Sequence, residues 1–122
     1  MRFVTPQQHR VLDFVTVVAF AVAPTFVPLA GFAAIVAYAL AAVHLVVTLT
    51  TQFSATSRGP LSLRFHGTLE VVVGVVLLAL PFVAGWTGRG RVFYLVAGAV
   101  ILVVSAVSKH HVDPQSSVAA AV

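Results

Sequence analysis

The chain contains no cysteine, one methionine, one tryptophan and only three acidic residues. The missing thiols exclude disulfide bonds, cysteine nucleophiles and thiolate-ligated metal or iron–sulfur sites. Charged residues make up 8% of the 122 residues, whereas soluble domains typically have about 25%. Seven basic and three acidic side chains do not cover the surface of a water-exposed domain of this length. The composition therefore excludes an ordinary soluble globular protein.

Hydrophobic residues make up 60% of the chain, and the mean hydropathy is +1.06. Four apolar stretches have about the 20 residues that a helix needs to cross a bilayer. Valines are frequent in them, but lipid requires a backbone with internal hydrogen bonds, and the alternation typical of membrane barrel strands is absent. The sequence therefore predicts an all-α bundle of four transmembrane helices in one domain, 1–122, with helices at about 9–28, 32–51, 65–86 and 91–108.

Local signals predict where these helices begin and end. Thr5 and Gln8, on either side of a proline, fit a capping box at the start of the first helix. The polar residues of 53–64 predict a linker, and 86–90 predicts a loop between the third and fourth helices. Residues 110–122 are predicted to be a flexible tail.

The sequence repeats itself weakly after 57 residues. With that shift, residues 9–52 align with 66–109 without gaps, and 11 of the 44 positions are identical. Three aligned pairs are unusual for so apolar a chain: His9 with His66, Asp13 with Glu70, and Pro24 with Pro81. The repeat predicts a tandem duplication of a two-helix hairpin, with the copies related by an axis along the membrane normal.

Basic residues are distributed unevenly between the two ends of the predicted bundle. Arg89 and Arg91 lie at one end, and five lie at the other: Arg2, Arg10, Arg58, Arg64 and Lys109. Because basic residues concentrate in cytoplasmic segments, we expect a multi-pass protein of a bacterial inner membrane with both termini in the cytoplasm. The basic residues are scattered rather than clustered, so nucleic acid is not an expected partner.

Two acidic residues, Asp13 and Glu70, fall inside predicted helices, where charged groups are costly and usually face the protein interior. Each follows a flanking histidine, His9 or His66, by four residues, which places the pair on one helix face. One interpretation is a pair of acids that carries protons or binds a ligand. The other interpretation is structural, and it is favoured because both acids lie only one to two turns inside the membrane.

His44 is the deepest ionisable residue. It follows alanines at helical spacing, Ala33, Ala37 and Ala41, which favour close helix contact, so the imidazole is expected to face the bundle. A histidine here also suits a haem or chlorophyll-type ligand, but the repeat places Ile101 at the equivalent position, and structural hydrogen bonding is preferred. The candidate intramembrane polar network comprises Asp13, His44, Thr48, Glu70 and Ser105.

The second half contains an apolar run that ends around a proline, Gly74-Val-Val-Leu-Leu-Ala-Leu-Pro81-Phe82-Val83, followed by a short loop and another helix. Residues 23–25, Ala-Pro-Thr, give the first half the same layout. This pattern resembles the SPW-repeat membrane proteins, small bacterial proteins built from two-helix units with a proline-centred motif. The resemblance implies a membrane location and implies no activity, because the biochemical role of that family is unassigned.

The sequence contains no nucleophile with a base, phosphate-binding loop or metalloprotease motif. We therefore expect a protein that is not an enzyme, without catalytic residues, a metal site or a cofactor. The first functional hypothesis is an accessory or helix-packing subunit that contacts the lipid bilayer and either itself or other membrane proteins. The alternatives are a small proton-linked transporter or ligand binder that uses Asp13, His44 and Glu70, and a tetrapyrrole-binding subunit that uses His44.

Overall fold

The structure, a computed structural model, describes residues 2–27, 29–52 and 60–108. Within these residues the chain forms four helices, each long and apolar enough to cross a membrane. Their bounds are α1 Pro6–Phe26, α2 Phe32–Thr50, α3 Leu63–Val83 and α4 Gly88–Val107. The predicted set of four apolar helices of membrane-spanning length is therefore confirmed, and each helix lies within a few residues of its predicted position.

Hydroxyl caps decide where α1 and α3 begin. The Thr5 side chain accepts from the Gln8 amide at 3.2 Å, and the Gln8 side chain accepts from the Thr5 amide at 3.0 Å. The predicted capping box is thus confirmed: Thr5 is the N-cap and α1 begins at Pro6, three residues before the predicted apolar stretch. Ser62 caps α3 in the same way through the Phe65 amide at 3.1 Å. Each cap satisfies an amide that a helix start leaves without an intrahelical partner.

The loop between α3 and α4 is shorter than the sequence predicts. We expected a loop at 86–90, but α3 ends at Val83 and α4 already begins at Gly88. The amide of Trp86 donates to the Pro81 carbonyl at 2.8 Å, and Gly85 and Gly88 take φ values of 71° and 64°. This left-handed backbone suits glycine, and it turns the chain within four residues.

Two very short strands were not predicted. Thr51–Gln52 (β1) pairs in parallel with Leu61–Ser62 (β2), and a single bridge joins Val4 to Ser108. These pairings tie the end of α2 to the start of α3, and the start of α1 to the end of α4, at one end of the bundle. Most of the predicted 53–64 linker and the whole predicted 110–122 tail lie outside the described residues.

Small residues allow close packing inside each hairpin. Ala33, Ala37 and Ala41 are buried on α2, as the alanine spacing predicts. On α3 and α4 the helices meet at Gly74 and Gly98, where a Cβ added to Gly98 would lie 2.9 Å from the Gly74 carbonyl oxygen. Such contacts are typical of helices that associate in membranes.

The polar residues are concentrated at the end of the bundle that carries the short strands. The outward faces of all four helices carry exposed apolar side chains, mainly valines. The buried polar and charged side chains instead gather where α1 and α3 begin and where α2 and α4 end: His9, Asp13, Thr48, Thr51, His66, Glu70, Ser105 and Ser108.

Candidate functional site

Two histidine–acid pairs from different hairpins meet inside the bundle. His9 and Asp13 project from the first turns of α1, and His66 and Glu70 project from the first turns of α3. Their four-residue spacing places each pair on one helix face. The four residues are at most 6% exposed, and we call them the four-residue cluster.

Each imidazole of the cluster contacts both acids through its Nε2 atom. His9 Nε2 lies 2.8 Å from Glu70 Oε1 and 3.2 Å from Asp13 Oδ1. His66 Nε2 lies 3.0 Å from Glu70 Oε1 and 3.0 Å from Asp13 Oδ2. The rings themselves meet edge to face, with centroids 5.6 Å apart. Histidine–carboxylate contacts therefore join α1 to α3, and neither hairpin contains the cluster by itself.

The opposite ring nitrogen of each histidine contacts a hydroxyl. His9 Nδ1 lies 2.7 Å from Ser108 Oγ, and His66 Nδ1 lies 2.7 Å from Thr51 Oγ1. Ser108 also lies 2.5 Å from the Val104 carbonyl oxygen, a distance that requires its hydroxyl proton between them. Because a hydroxyl has one proton, Ser108 must accept at its oxygen, and His9 Nδ1–H donates.

The same reasoning applies to the second histidine. Thr51 donates its hydroxyl proton to the Val47 carbonyl at 2.6 Å, so His66 Nδ1–H donates to Thr51 Oγ1. The two hydroxyls thus fix both rings in one orientation, with Nδ1 protonated. Both Nε2 atoms face the acids. Each of them carries either a lone pair or a second proton.

Two carboxylate oxygens of the cluster have no hydrogen-bond partner. Glu70 Oε1 lies within hydrogen-bond distance of the Nε2 atoms of both imidazoles, whereas Glu70 Oε2 has no hydrogen-bond partner. Asp13 Oδ2 is also without one: it is close to His66 Nε2 but not in hydrogen-bond geometry. Buried carboxylate oxygens usually accept hydrogen bonds, since unmet lone pairs away from water are costly. The cluster therefore has more acceptor than donor capacity.

The cluster offers a compact set of metal-ligand atoms. One nitrogen or oxygen from each of the four residues can be chosen so that all lie within 4.8 Å of one another. We predicted no metal site from the sequence, because each histidine was interpreted only as a neighbour of the acid on its own helix. The structure brings the two pairs together across 61 residues of sequence.

His44 lies beside the cluster. Its Nε2 is 3.3 Å from Asp13 Oδ1, and its side chain is 13% exposed. It also lines, with Glu70, an apolar cavity of about 80 Å³. Pockets for small molecules typically have about 300–1,000 Å³, so this cavity does not accommodate a tetrapyrrole.

The structure brings together three of the five predicted network residues, Asp13, His44 and Glu70. Thr48 is buried, but its hydroxyl has no hydrogen-bond partner. Ser105 is also buried and lines a different pocket, with Arg2 and Arg64. Among the described residues, neither hydroxyl hydrogen-bonds to an acid of the cluster.

Sequence reasoning underrated four residues of the site. His9 and His66 were interpreted as flanking residues, but they are fully buried at its centre. Thr51 and Ser108 were not recognised as their partners. A signal for them existed, since these two hydroxyl residues are also 57 positions apart and each stands directly after a helix.

Comparisons with protein-family models, with curated proteins and with solved structures found no match. The resemblance to SPW-repeat proteins therefore stays a prediction. The geometry of the site is the basis for the functional argument.

Proposed function

We propose that this chain is a non-enzymatic integral membrane protein that binds a positively charged ligand in the four-residue cluster. One observation carries the proposal: two acids and two imidazoles from separate hairpins are buried with their oxygen and Nε2 atoms facing one another. This is the ligand-binding alternative of the sequence analysis, with His9 and His66 added to its central residues.

Charge balance favours a bound cation. Ionised carboxylates in a low-dielectric environment are costly unless opposite charge and hydrogen bonds compensate them. With both rings held as Nδ1–H tautomers, two ionised carboxyl groups would give the cluster two negative charges until Nε2 is protonated or an ion binds. Two protons or one divalent cation restores neutrality. The arrangement is therefore that of a site that accepts positive charge.

A helix-packing role is the second candidate function. It is supported by an apolar groove of about 900 Å³ on the surface between α1 and α4, lined by residues such as Phe20, Phe93 and Val96. In that case the cluster would only hold the hairpins together, and a neighbouring helix would fill the groove. This candidate predicts that cations have no effect on stability.

Glu70→Gln tests the proposal. A bound ligand stabilises the folded state by mass action, so the wild-type protein in detergent should unfold at higher temperature as its cation is added. We expect Glu70→Gln to fold, because the amide can bond to an imidazole Nε2 in either protonation state, through its oxygen or its NH₂ group. We expect it to lose most of this stabilisation. The measurement is thermal unfolding at a fixed pH with Mg²⁺, Ca²⁺, Mn²⁺ and Zn²⁺, repeated over a range of pH.

Asp113→Asn is the matched control, because Asp113 is the one acidic residue of the chain's three that is not a member of the cluster. It should respond to cations and pH as the wild-type protein does. Equal responses of wild type and Glu70→Gln under every condition would contradict cation binding and favour the helix-packing role.

We also propose that the two hairpins arose by duplication. Equivalent features recur at a spacing of 57 residues: the helix caps Thr5 and Ser62, the bridged residues Val4 and Leu61, the helical prolines Pro24 and Pro81, the left-handed glycines Gly31 and Gly88, and the histidine partners Thr51 and Ser108. Duplication explains why one site contains the same chemistry twice.

We further propose that both termini face the cytoplasm of a bacterial cell. Arg2 and Arg64 line one pocket at the end that contains the cluster, and Arg89 and Arg91 belong to the opposite end. Since the chain has no cysteine, single cysteines at Phe3 and Thr87 can be labelled in intact cells with an impermeant thiol reagent. We expect labelling at position 87 alone; labelling at position 3 alone would reverse the orientation.

A further inference from the structure

We infer that the ligand of the four-residue cluster is one divalent transition-metal ion, held by Nε2 of His9 and of His66 and by carboxylate oxygens of Asp13 and Glu70. This inference rests on the proposed function and names its ligand. Imidazole nitrogen suits zinc, iron, nickel and copper, whereas carboxylate suits harder ions. Two imidazoles and two carboxylates, without any thiolate, form a donor set that suits ions such as Zn²⁺, Fe²⁺ or Mn²⁺.

The spacing of the donor atoms is close to that of a metal site. A tetrahedral ion with ligand bonds of about 2.0–2.1 Å separates its ligand atoms by about 3.3 Å. In the cluster, the Nε2-to-oxygen distances are 2.8, 3.0, 3.0 and 3.2 Å. Loading an ion therefore requires these contacting atoms to move apart by a few tenths of an ångström. Ligand atoms at the wider separations, which reach at most 4.8 Å, would have to draw together.

The hydroxyls of Thr51 and Ser108 prepare both histidines as ligands. A metal-bound histidine usually donates its other ring N–H to an oxygen, which fixes the tautomer and raises the basicity of the coordinating nitrogen. Here Nδ1–H of each ring donates at 2.7 Å to a hydroxyl that is itself anchored on a backbone carbonyl. Both Nε2 lone pairs then face the acids. We call Thr51 and Ser108 the positioning hydroxyls.

The unpartnered oxygens are an independent indication of a bound ion. Asp13 Oδ2 and Glu70 Oε2 are buried and without hydrogen-bond donors, although Asp13 and Glu70 are 3% and 6% exposed. Protons on both Nε2 atoms would neutralise the charge, but they leave Glu70 Oε2 without a donor. A metal ion supplies the same two positive charges and can coordinate either oxygen of each carboxylate.

The chain provides matched controls for both positioning hydroxyls. Thr48 is a buried threonine three residues before Thr51, and its hydroxyl has no hydrogen-bond partner. Ser105 is a buried serine three residues before Ser108, and the described hydrogen bonds of the two histidines do not include it. Thr48→Val and Ser105→Ala therefore make the same chemical changes as Thr51→Val and Ser108→Ala, away from the imidazoles.

The test is a metal titration of the full-length protein in detergent after treatment with a chelator. Co²⁺ serves as the spectroscopic probe and Zn²⁺ as its competitor. We expect one ion per chain, with the visible absorption of cobalt in a nitrogen–oxygen site. Thr51→Val and Ser108→Ala should each weaken binding by about 10–100-fold and change the cobalt spectrum. Thr48→Val and Ser105→Ala should change neither, and Glu70→Gln should weaken binding at least as much as the positioning variants.

The outcomes separate this inference from the proposed function. The wild-type protein could take up neither Co²⁺ nor Zn²⁺ and yet be stabilised by protons, Mg²⁺ or Ca²⁺ in a way that Glu70→Gln abolishes. That result would overturn the transition-metal assignment and leave the proposed cation site standing. Uptake that Glu70→Gln does not weaken would overturn the assignment of the metal to this cluster. Neither uptake nor any Glu70-dependent stabilisation would overturn both.

Discussion

Replacing His9 alone with leucine is expected to destabilise the protein more than replacing His9 and Glu70 together. His9 Nε2 lies 2.8 Å from Glu70 Oε1, and both side chains are buried. Removing one partner of a buried ion pair leaves a charge without compensation, which typically costs about 3–5 kcal/mol. Removing both leaves Asp13 paired with His66 at 3.0 Å and no surplus charge. The free energy of unfolding in detergent, measured with a chelator present, compares the two variants.

His44→Leu is the control for this pair of variants. His44 is 3.3 Å from Asp13, is more exposed than His9, and has no hydroxyl partner among its described hydrogen bonds. Replacing His44 should therefore lower the free energy of unfolding less than replacing His9 does. If the single His9 variant were as stable as the double variant, the two residues would not be compensating one another's charge.

Gly98→Ala is expected to cost about 1–3 kcal/mol, the usual penalty for overpacking a tight interface. The added methyl group would lie 2.9 Å from the Gly74 carbonyl oxygen and 3.2 Å from Leu77 Cβ. The nearest atom belongs to the backbone, so α3 and α4 must separate before the side chain fits. The loss should appear as a lower free energy of unfolding in detergent.

Gly90→Ala makes the same change on α4 without the steric conflict. Its added methyl group would meet only Leu29 Cδ2 at 3.6 Å, an ordinary contact. Alanine also favours the helical state over glycine by up to about 1 kcal/mol, so this variant should be neutral or slightly more stable. A Gly98→Ala protein as stable as Gly90→Ala would show that the two helices do not cross as closely as described.

The helices were predictable because their signals are local. The apolar stretches, the capping residues Thr5 and Gln8 and the alanine spacing of α2 each depend on residues within a few turns of one another. The start of α4 was missed because Gly88 and Arg89 resemble loop residues. The left-handed φ of Gly88 turns the chain into α4, and the apolar face follows directly.

The candidate site was predictable only in part. The pairing of each acid with a histidine four residues earlier follows from helical spacing, so Asp13 and Glu70 could be singled out. The contact of His9 with Glu70 spans 61 residues, and that of His9 with Ser108 spans 99. No local sequence pattern predicts such contacts. The 57-residue repeat was the only indication that the two histidine–acid pairs belong to one site.

The most direct test of the central claim is the ¹⁵N NMR spectrum of the histidine rings, recorded before and after Zn²⁺ is added to chelator-treated protein. The signals of His9 and His66 are assigned by their disappearance from the spectra of His9→Gln and His66→Gln. We expect both rings to carry a proton on Nδ1 throughout, as the positioning hydroxyls require, and both Nε2 signals to shift when the ion binds. Rings without a proton on Nδ1 would contradict the orientation that the positioning hydroxyls impose. Nε2 signals that Zn²⁺ leaves unchanged would contradict a transition-metal site formed by the two hairpins.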